Sequence, residues 1–262
     1  MISIVMATYN RAATLPRAVA SVLAQSDPDW ELIIIDDGST DETPTLVAKM
    51  TDPRIRAFRH SPNRGVTAAK NAGLDRITGE WFTTLDSDDE ALADALDAML
   101  ECARQTGATA ITCNCIDSVT GEMTGTGPEA DGWLTPEDAA QCRGEHWGLT
   151  RTDLLGDGRF DERLPGFEDT LWLKIDARAK RYYLHRALRV YHTEGADRIC
   201  VSALQTTFRQ KLEIFKILGE DEEYLSALKA RDKAGYRHAI VRIRIARVLR
   251  PILSIIGQGE QG

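Results

Sequence analysis

Residues 81–89 read Trp-Phe-Thr-Thr-Leu-Asp-Ser-Asp-Asp, an apolar run that ends abruptly in acid, and they constrain the fold more than any other stretch. The aromatic and β-branched side chains predict a buried strand with Asp86, Ser87, Asp88 and Asp89 at its carboxyl end. In open α/β sheets that edge is where ligands bind. Carboxylates this close repel one another, so a fold keeps them at a strand end only where water, hydrogen-bond donors or a cation compensate. A divalent cation holding a phosphorylated ligand is the economical compensation. The local alternative is that Asp88 or Asp89 caps a helix beginning near Ala91.

The pattern repeats along the chain. Residues 2–6 form an apolar strand that enters the polar turn Ala7-Thr8-Tyr9-Asn10-Arg11. Pro16, with Leu15, Val19, Val22 and Leu23 at helical spacing, marks a helix to about Gln25. A second apolar strand over 30–35 also ends in acid, Asp36-Asp37-Gly38-Ser39-Thr40-Asp41, although Asp-Gly-Ser is equally good turn chemistry. Then follow a helix over 41–50, a strand over 55–58, the loop Ser61-Pro62-Asn63-Arg64-Gly65, and a helix through Ala68, Ala69 and Leu74. Beyond the central strand, 91–104 reads as helix and 108–115 as strand. Repeated strand-helix alternation predicts a parallel sheet covered on both faces.

After Cys115, Gly121, Gly125, Gly127 and Gly132 predict a hairpin or long loop out to Trp133. A helix opens at Glu168-Asp169 with Leu171, Trp172 and Ile175 as its apolar stripe; two acids there suit the helix dipole by themselves. Residues 182–184 and 188–191 read as short edge strands ending at His192, and the chain from about residue 201 reads as helical. Trp172 fits a core position, while Trp133 and Trp147 are open to stacking on a sugar.

Composition excludes several classes. A net charge of −8 argues against nucleic acid as a partner. The cysteines, Cys102, Cys113, Cys115, Cys142 and Cys200, are odd in number and lack paired spacing, which predicts reduced thiols rather than disulfides or a zinc site. With no basic leader at the start and no apolar run of the ~18 residues that span a bilayer, the expectation is a cytoplasmic protein, with attachment to the inner membrane face left open.

Taken together, Ala7-Thr8-Tyr9-Asn10-Arg11, Asp36-Asp37-Gly38-Ser39-Thr40-Asp41, Asn63-Arg64-Gly65 with Ala69-Lys70-Asn71, Asp86-Ser87-Asp88-Asp89, and Glu168-Asp169 with Trp172 resemble glycosyltransferase family 2. Their order over roughly residues 1–192 is far more specific than any one motif. The resemblance implies a GT-A fold, an α/β architecture with a Rossmann-like, mostly parallel sheet and helices on both faces, followed by a C-terminal helical extension. It also implies an inverting transfer from a nucleotide diphosphate sugar, most often UDP-linked, to a saccharide or lipid-linked saccharide hydroxyl in polysaccharide or glycan biosynthesis, with Mn2+ or Mg2+. By the resemblance Ala7, Thr8, Tyr9, Arg11, Asp37, Asn63, Lys70, Asp86 and Ser87 bind the nucleotide sugar, and Asp88 and His192 bind the metal. Asp169 is the general base, and Glu168 orients it or contacts the acceptor. Lys70 stands where an Arg is commoner, keeping the charge without the bidentate fork.

The implied division is 1–115 for the nucleotide sugar, 116–200 for the acceptor and 201–262 for the helical extension. A catalytically inactive nucleotide-sugar-binding partner of a polysaccharide synthase complex is the alternative from another class. An aspartate-nucleophile phosphatase also places Asp-x-Asp after a strand, but near the chain start and without the further acids Asp89 and Glu90. In the extension, Val241, Ile245, Val248, Leu249, Ile252 and Ile256 share one helical face and Arg244, Arg247 and Arg250 the other. Residues 233–256 are therefore expected either to lie on a membrane or to pack against protein, including a homodimer partner. Pro251 is expected to kink or split that helix.

Overall fold

The computed structural model describes residues 1–193 and 207–258. Strands β1 (Ile2–Thr8), β2 (Trp30–Asp36), β3 (Ile55–Arg59) and β4 (Trp81–Thr84) alternate with helices α1 (Leu15–Leu23), α2 (Thr43–Ala48) and α3 (Val66–Leu74). β5 (Glu90–Ala91), α4 (Ala95–Thr106), β6 (Ala110–Asp117), β7 (Gly132–Trp133), α5 (Pro136–Gln141), β8 (His146–Arg151), α6 (Asp169–Asp176) and β9 (Arg181–Tyr191) follow. The extension comprises α7 (Phe208–Leu218), α8 (Glu222–Arg231) and α9 (Lys233–Gln258).

One sheet runs in the order β3-β2-β1-β4-β8-β6-β9-β5, with β7 also on β9. The parallel ladders among β1 to β4 and between β6 and β9 carry most of its paired residues; β8 is antiparallel to both β4 and β6. Leu32, Ile33, Ile34 and Ile35 are all fully buried, because both faces of β2 are covered and there is no solvent side on which polar residues could alternate.

Register positions the site. Thr8 lies opposite Asp36, the Asp37 N–H donates to the Thr8 carbonyl (2.8 Å), and the Leu85 N–H donates to the Val5 carbonyl (3.0 Å). Both acidic loops therefore leave the sheet on either side of the end of β1, where the strand order switches direction.

Four expectations need correction. Ala91 is strand, not helix: Glu90 and Ala91 pair with Val190 and Arg189, the Ala91 N–H donates to Ser21 Oγ (3.0 Å), and the helix begins at Ala95. Its N-cap is Asp94, without a side-chain cap, so neither Asp88 nor Asp89 caps it. The pair of edge strands is one interior strand, β9, whose ladder with β6 continues across register shifts beside Asn114. α9 continues past Pro251 rather than splitting, since one absent N–H removes a single bond from a long helix.

The helical extension packs against the segment that leads into α6. Leu164, ahead of α6, buries itself against Ile217 and Leu218 of α7 with Tyr224 of α8 alongside. Among the described side chains of α9, Ile243 and Ala246 are buried, whereas Val241, Ile245 and Val248 are 53%, 44% and 63% exposed. Ile252 and Ile256 lie outside the residues whose side chains are described, and residues 201–206 and 259–262 of the extension lie outside the described residues, as does Cys200.

Candidate active site

The first two loops are stitched together backbone to side chain. The N–H groups of Asn10, Arg11 and Ala12 donate to Ser39 Oγ (2.9 Å), Thr43 Oγ1 (2.9 Å) and Asp41 Oδ2 (3.1 Å), and Asn10 Oδ1 accepts from the Thr40 N–H (2.8 Å). Asn10 adopts φ 52°, a left-handed conformation that Asn tolerates better than most residues. Thr8 is buried, and its hydroxyl has no hydrogen-bond partner among the described residues. Tyr9 is 44% exposed, while Ala7 packs its methyl toward Ile33, Ile35 and Ala69 and leaves only backbone to a ligand.

Asp37 holds the third loop. Its Oδ1 lies 2.7 Å from His60 Nδ1 and accepts from the Arg64 N–H (3.0 Å), and Oδ2 accepts from the Gly65 N–H (2.7 Å). Asn63 Oδ1 also accepts from the Gly65 N–H, at 3.1 Å. Gly38 is required at φ 80°, where an added Cβ would stand 2.9 Å from the Asn63 nitrogen.

Around the fourth loop, Lys70 Nζ lies 3.1 Å from Asp86 Oδ1 and 2.6 Å from Glu168 Oε1. Burial opposes the ammonium charge, but the two carboxylates outweigh it and hold Lys70 above the usual lysine range. Lys70 in turn is the main cause that keeps the Asp86 pKa low. Ser87 is buried, and Asp88 is 32% exposed with Arg11 Nε at 3.8 Å. The β5–β9 pairing brings His192 alongside: its N–H donates to Asp89 Oδ1 (3.0 Å) and its Nε2 lies 2.8 Å from Glu90 Oε1.

Arg189 anchors this loop from behind. It is 4% exposed, with Nη1 3.5 Å from Asp89 Oδ2, Nη2 donating to Glu145 Oε2 (2.9 Å) and Nε donating to Cys115 Sγ (3.2 Å). Burial pushes the Asp89 carboxyl up to about 7 despite the opposing pull of Arg189, with Asp86 and Asp88 adding to the rise. The donor set here, carboxylates with one imidazole, has the chemistry of a hard divalent cation. Among the described residues no three His, Cys, Asp or Glu side chains converge to hold one unaided. That fits a cation bound through one or two carboxylates and completed by phosphate oxygens and water.

A pocket of about 440 Å3 unites Lys70, Asp86, Glu168 and Asp169 with Trp147, Trp172, Arg143, Arg181, Arg189 and Arg231. Thr8, Tyr9, Asp37, Asn63, Asp88 and His192 lie outside its lining. Asp169 opens α6; partial desolvation raises its pKa, Asp176 and Glu168 adding to the rise while Arg231 and Arg143 oppose it. Trp172 stacks on Phe82 and sets its edge against Phe160, and Trp147 Nε1 donates to the Thr84 carbonyl (2.8 Å), so both indoles are wall and core at once. Trp133 is half exposed against Tyr182 and is not part of the lining. Sequence reading misses Arg143, Arg189 and Arg231. Only Arg189 leaves a trace there, as a lone charge between Leu188 and Val190.

The family model for Glycosyl transferase family 2 matches residues 3–146, more than half of the chain. The chain belongs to glycosyltransferase family 2. This family 2 glycosyltransferase is 33% identical over 229 residues, 83% of its length and 74% of the relative's, to the GalNAc(5)-diNAcBac-PP-undecaprenol beta-1,3-glucosyltransferase of Campylobacter jejuni. It is 34% identical over 100 residues to the Escherichia coli UDP-Glc:alpha-D-GlcNAc-diphosphoundecaprenol beta-1,3-glucosyltransferase WfgD, spanning 38% of this chain and 40% of WfgD. In structure it resembles S. aureus TarS 1–349, with TM-score 0.71 and 19% identity over 94% of this chain and 71% of that one, which supports the GT-A fold. A TarS complex with UDP-GlcNAc matches equally well, with TM-score 0.71, 16% identity and coverage of 92% and 70%. No helix among the described residues is long and apolar enough to cross a membrane.

Proposed function

We propose that this glycosyltransferase moves a sugar from a nucleotide diphosphate donor, UDP-linked, to a hydroxyl of a saccharide or lipid-linked saccharide, with inversion. The observation that carries this reading is the single pocket in which the Lys70-tethered Asp86 and Glu168 meet Asp169. Relatives whose names specify UDP-Glc and undecaprenyl diphosphate acceptors support the substrate classes and favour an enzyme over an inactive synthase partner.

In this reading residues 1–115 hold the donor. The backbone at Ala7 with Thr8, Tyr9 and Arg11 flanks the base, and Asp37 and Asn63 shape the facing loop. Asp86 and Ser87 serve the ribose side, and Lys70 keeps Asp86 ionised. Asp88 and His192 would hold Mn2+ or Mg2+, which neutralises the diphosphate as it leaves.

Residues 116–200 present the acceptor. Asp169 takes the acceptor hydroxyl proton as that oxygen bonds to the anomeric carbon, and the bond from that carbon to the diphosphate oxygen breaks with its electron pair leaving on the nucleotide. Glu168, pinned by Lys70, orients the acceptor beside Asp169. The exposed Val241, Ile245 and Val248 of α9 form a surface for the inner membrane face, where a lipid-linked acceptor would be presented.

Calorimetric titration with UDP and with GDP, each with and without manganese, tests the donor class. Manganese-dependent binding of UDP alone is expected, and Asp88→Ala should abolish its metal dependence. Failure of the folded protein to bind either nucleotide contradicts the proposal.

A further inference from the structure

The end of α8 reaches into the pocket from a part of the chain that carries none of the family motifs. Arg231 Nη2 donates to the Ala139 carbonyl of α5 (2.8 Å), and Nη1 lies 3.6 Å from Asp176 Oδ2 at the end of α6. The other oxygen of Asp176 accepts from Arg181 Nε (2.7 Å), so the carboxylate is itself fixed. One guanidinium, 27% exposed, thus fastens three helices around the pocket that Asp169 enters.

We propose that Arg231 is a positioning residue of the transfer reaction: it clamps the α5 wall of the acceptor pocket to α6 and supplies a positive charge to the pocket that Asp169 also lines. The inference rests on Asp169 being the general base. Around Asp169 the charged and titratable groups among the described residues include Glu168 just before α6, Asp176 of α6, Arg231 and Tyr224 of α8, and Arg143 of the loop before β8; Lys70 of α3 is engaged with Glu168. Arg231 leads the cations that favour the ionised base. Neutralising it leaves only Arg143 to oppose burial and the two acids, so Asp169 would hold its proton to higher pH. Loss of the clamp separately frees residues 136–141.

The test uses the full chain as wild type, Arg231→Gln, Arg231→Lys and Asp169→Asn. Asp169 titration is followed by NMR of 13C-carboxyl-labelled aspartate, its signal identified by its absence in Asp169→Asn, and the pH profile of UDP release from UDP-glucose with water as acceptor is recorded alongside. Arg231→Gln should move both midpoints up by roughly one unit, the low end for one neighbouring opposite charge. Arg231→Lys should leave the titration in place yet speed amide exchange over 136–141, because an ammonium cannot span both partners. If Arg231→Gln does not fold, the Lys variant decides: faster exchange at 136–141 with an unchanged melting temperature supports the clamp, and unchanged exchange overturns it. Unmoved midpoints in folded Arg231→Gln, with Asp169→Asn inactive, overturn this inference and leave the base assignment standing. Wild-type UDP release by Asp169→Asn removes the base assignment itself.

Discussion

Lys70 Nζ lies 2.6 Å from Glu168 Oε1, although 98 residues separate them in sequence. The same ammonium holds Asp86, so one buried cation ties the loop after β4 to the start of α6. Replacing Lys70 with Met leaves the two carboxylates without the cation that bridges them. Since both are more than a third exposed, solvent absorbs part of the penalty. Lys70→Met should lose roughly 1–3 kcal/mol by denaturant melting and most of its turnover. Wild-type stability and turnover would show that the link is incidental.

The pH profile should carry the signature of Asp169. Its pKa is raised, chiefly by desolvation, and a general base works only when deprotonated. kcat/KM should therefore fall on acidification at a pH above the ordinary carboxylate range. The linkage sign is opposite for stability: an acid whose folded pKa is raised favours the fold below its unfolded pKa and loses that contribution as pH rises through the folded value. Asp169→Asn should thus melt no lower than wild type at neutral pH, and a lower melting temperature there would contradict the assigned environment.

Asn10 joins the first two loops through its conformation and its side-chain oxygen. Asn10→Ala puts a Cβ-bearing residue without that acceptor at φ 52° and strands the Thr40 N–H. It should cost roughly 1–2 kcal/mol and weaken UDP binding several-fold, whereas Asn10→Gly should recover the backbone part only. Equal UDP affinity in all three proteins would detach this latch from donor binding.

The outward stripe of α9 makes a separable prediction. Triple substitution of Val241, Ile245 and Val248 by Ser touches exposed positions, so stability should change by less than about 0.5 kcal/mol per site. Co-sedimentation with anionic vesicles should be lost in the triple variant. Equal vesicle binding by both proteins would remove the membrane role.

Much of the fold over residues 1–115 is legible in sequence because it is local. An apolar strand followed within a residue or two by Asp86 or Asp36 states its own position in a parallel sheet. What escapes is the consequence of distant packing. A two-residue strand at Glu90 and Ala91 carries no period, and it forms because β9 offers Arg189 and Val190 as partners. The bulged β9 reads as two strands because its alternation shifts at the register break. Arg231 meets Ala139 across 92 residues, with no local pattern to announce it. The roles of Asp37 and Lys70 as loop fasteners likewise appear only when the loops are in contact.

Asp169 is proposed to remove the acceptor proton during transfer. The direct measurement is turnover of UDP-sugar by wild type and Asp169→Asn, paired with UDP affinity by calorimetry. Turnover should fall by roughly 10²–10⁴-fold with UDP affinity kept within about twofold, since a general base acts only in the transition state. Turnover within tenfold of wild type, in a variant that binds UDP normally, would contradict it.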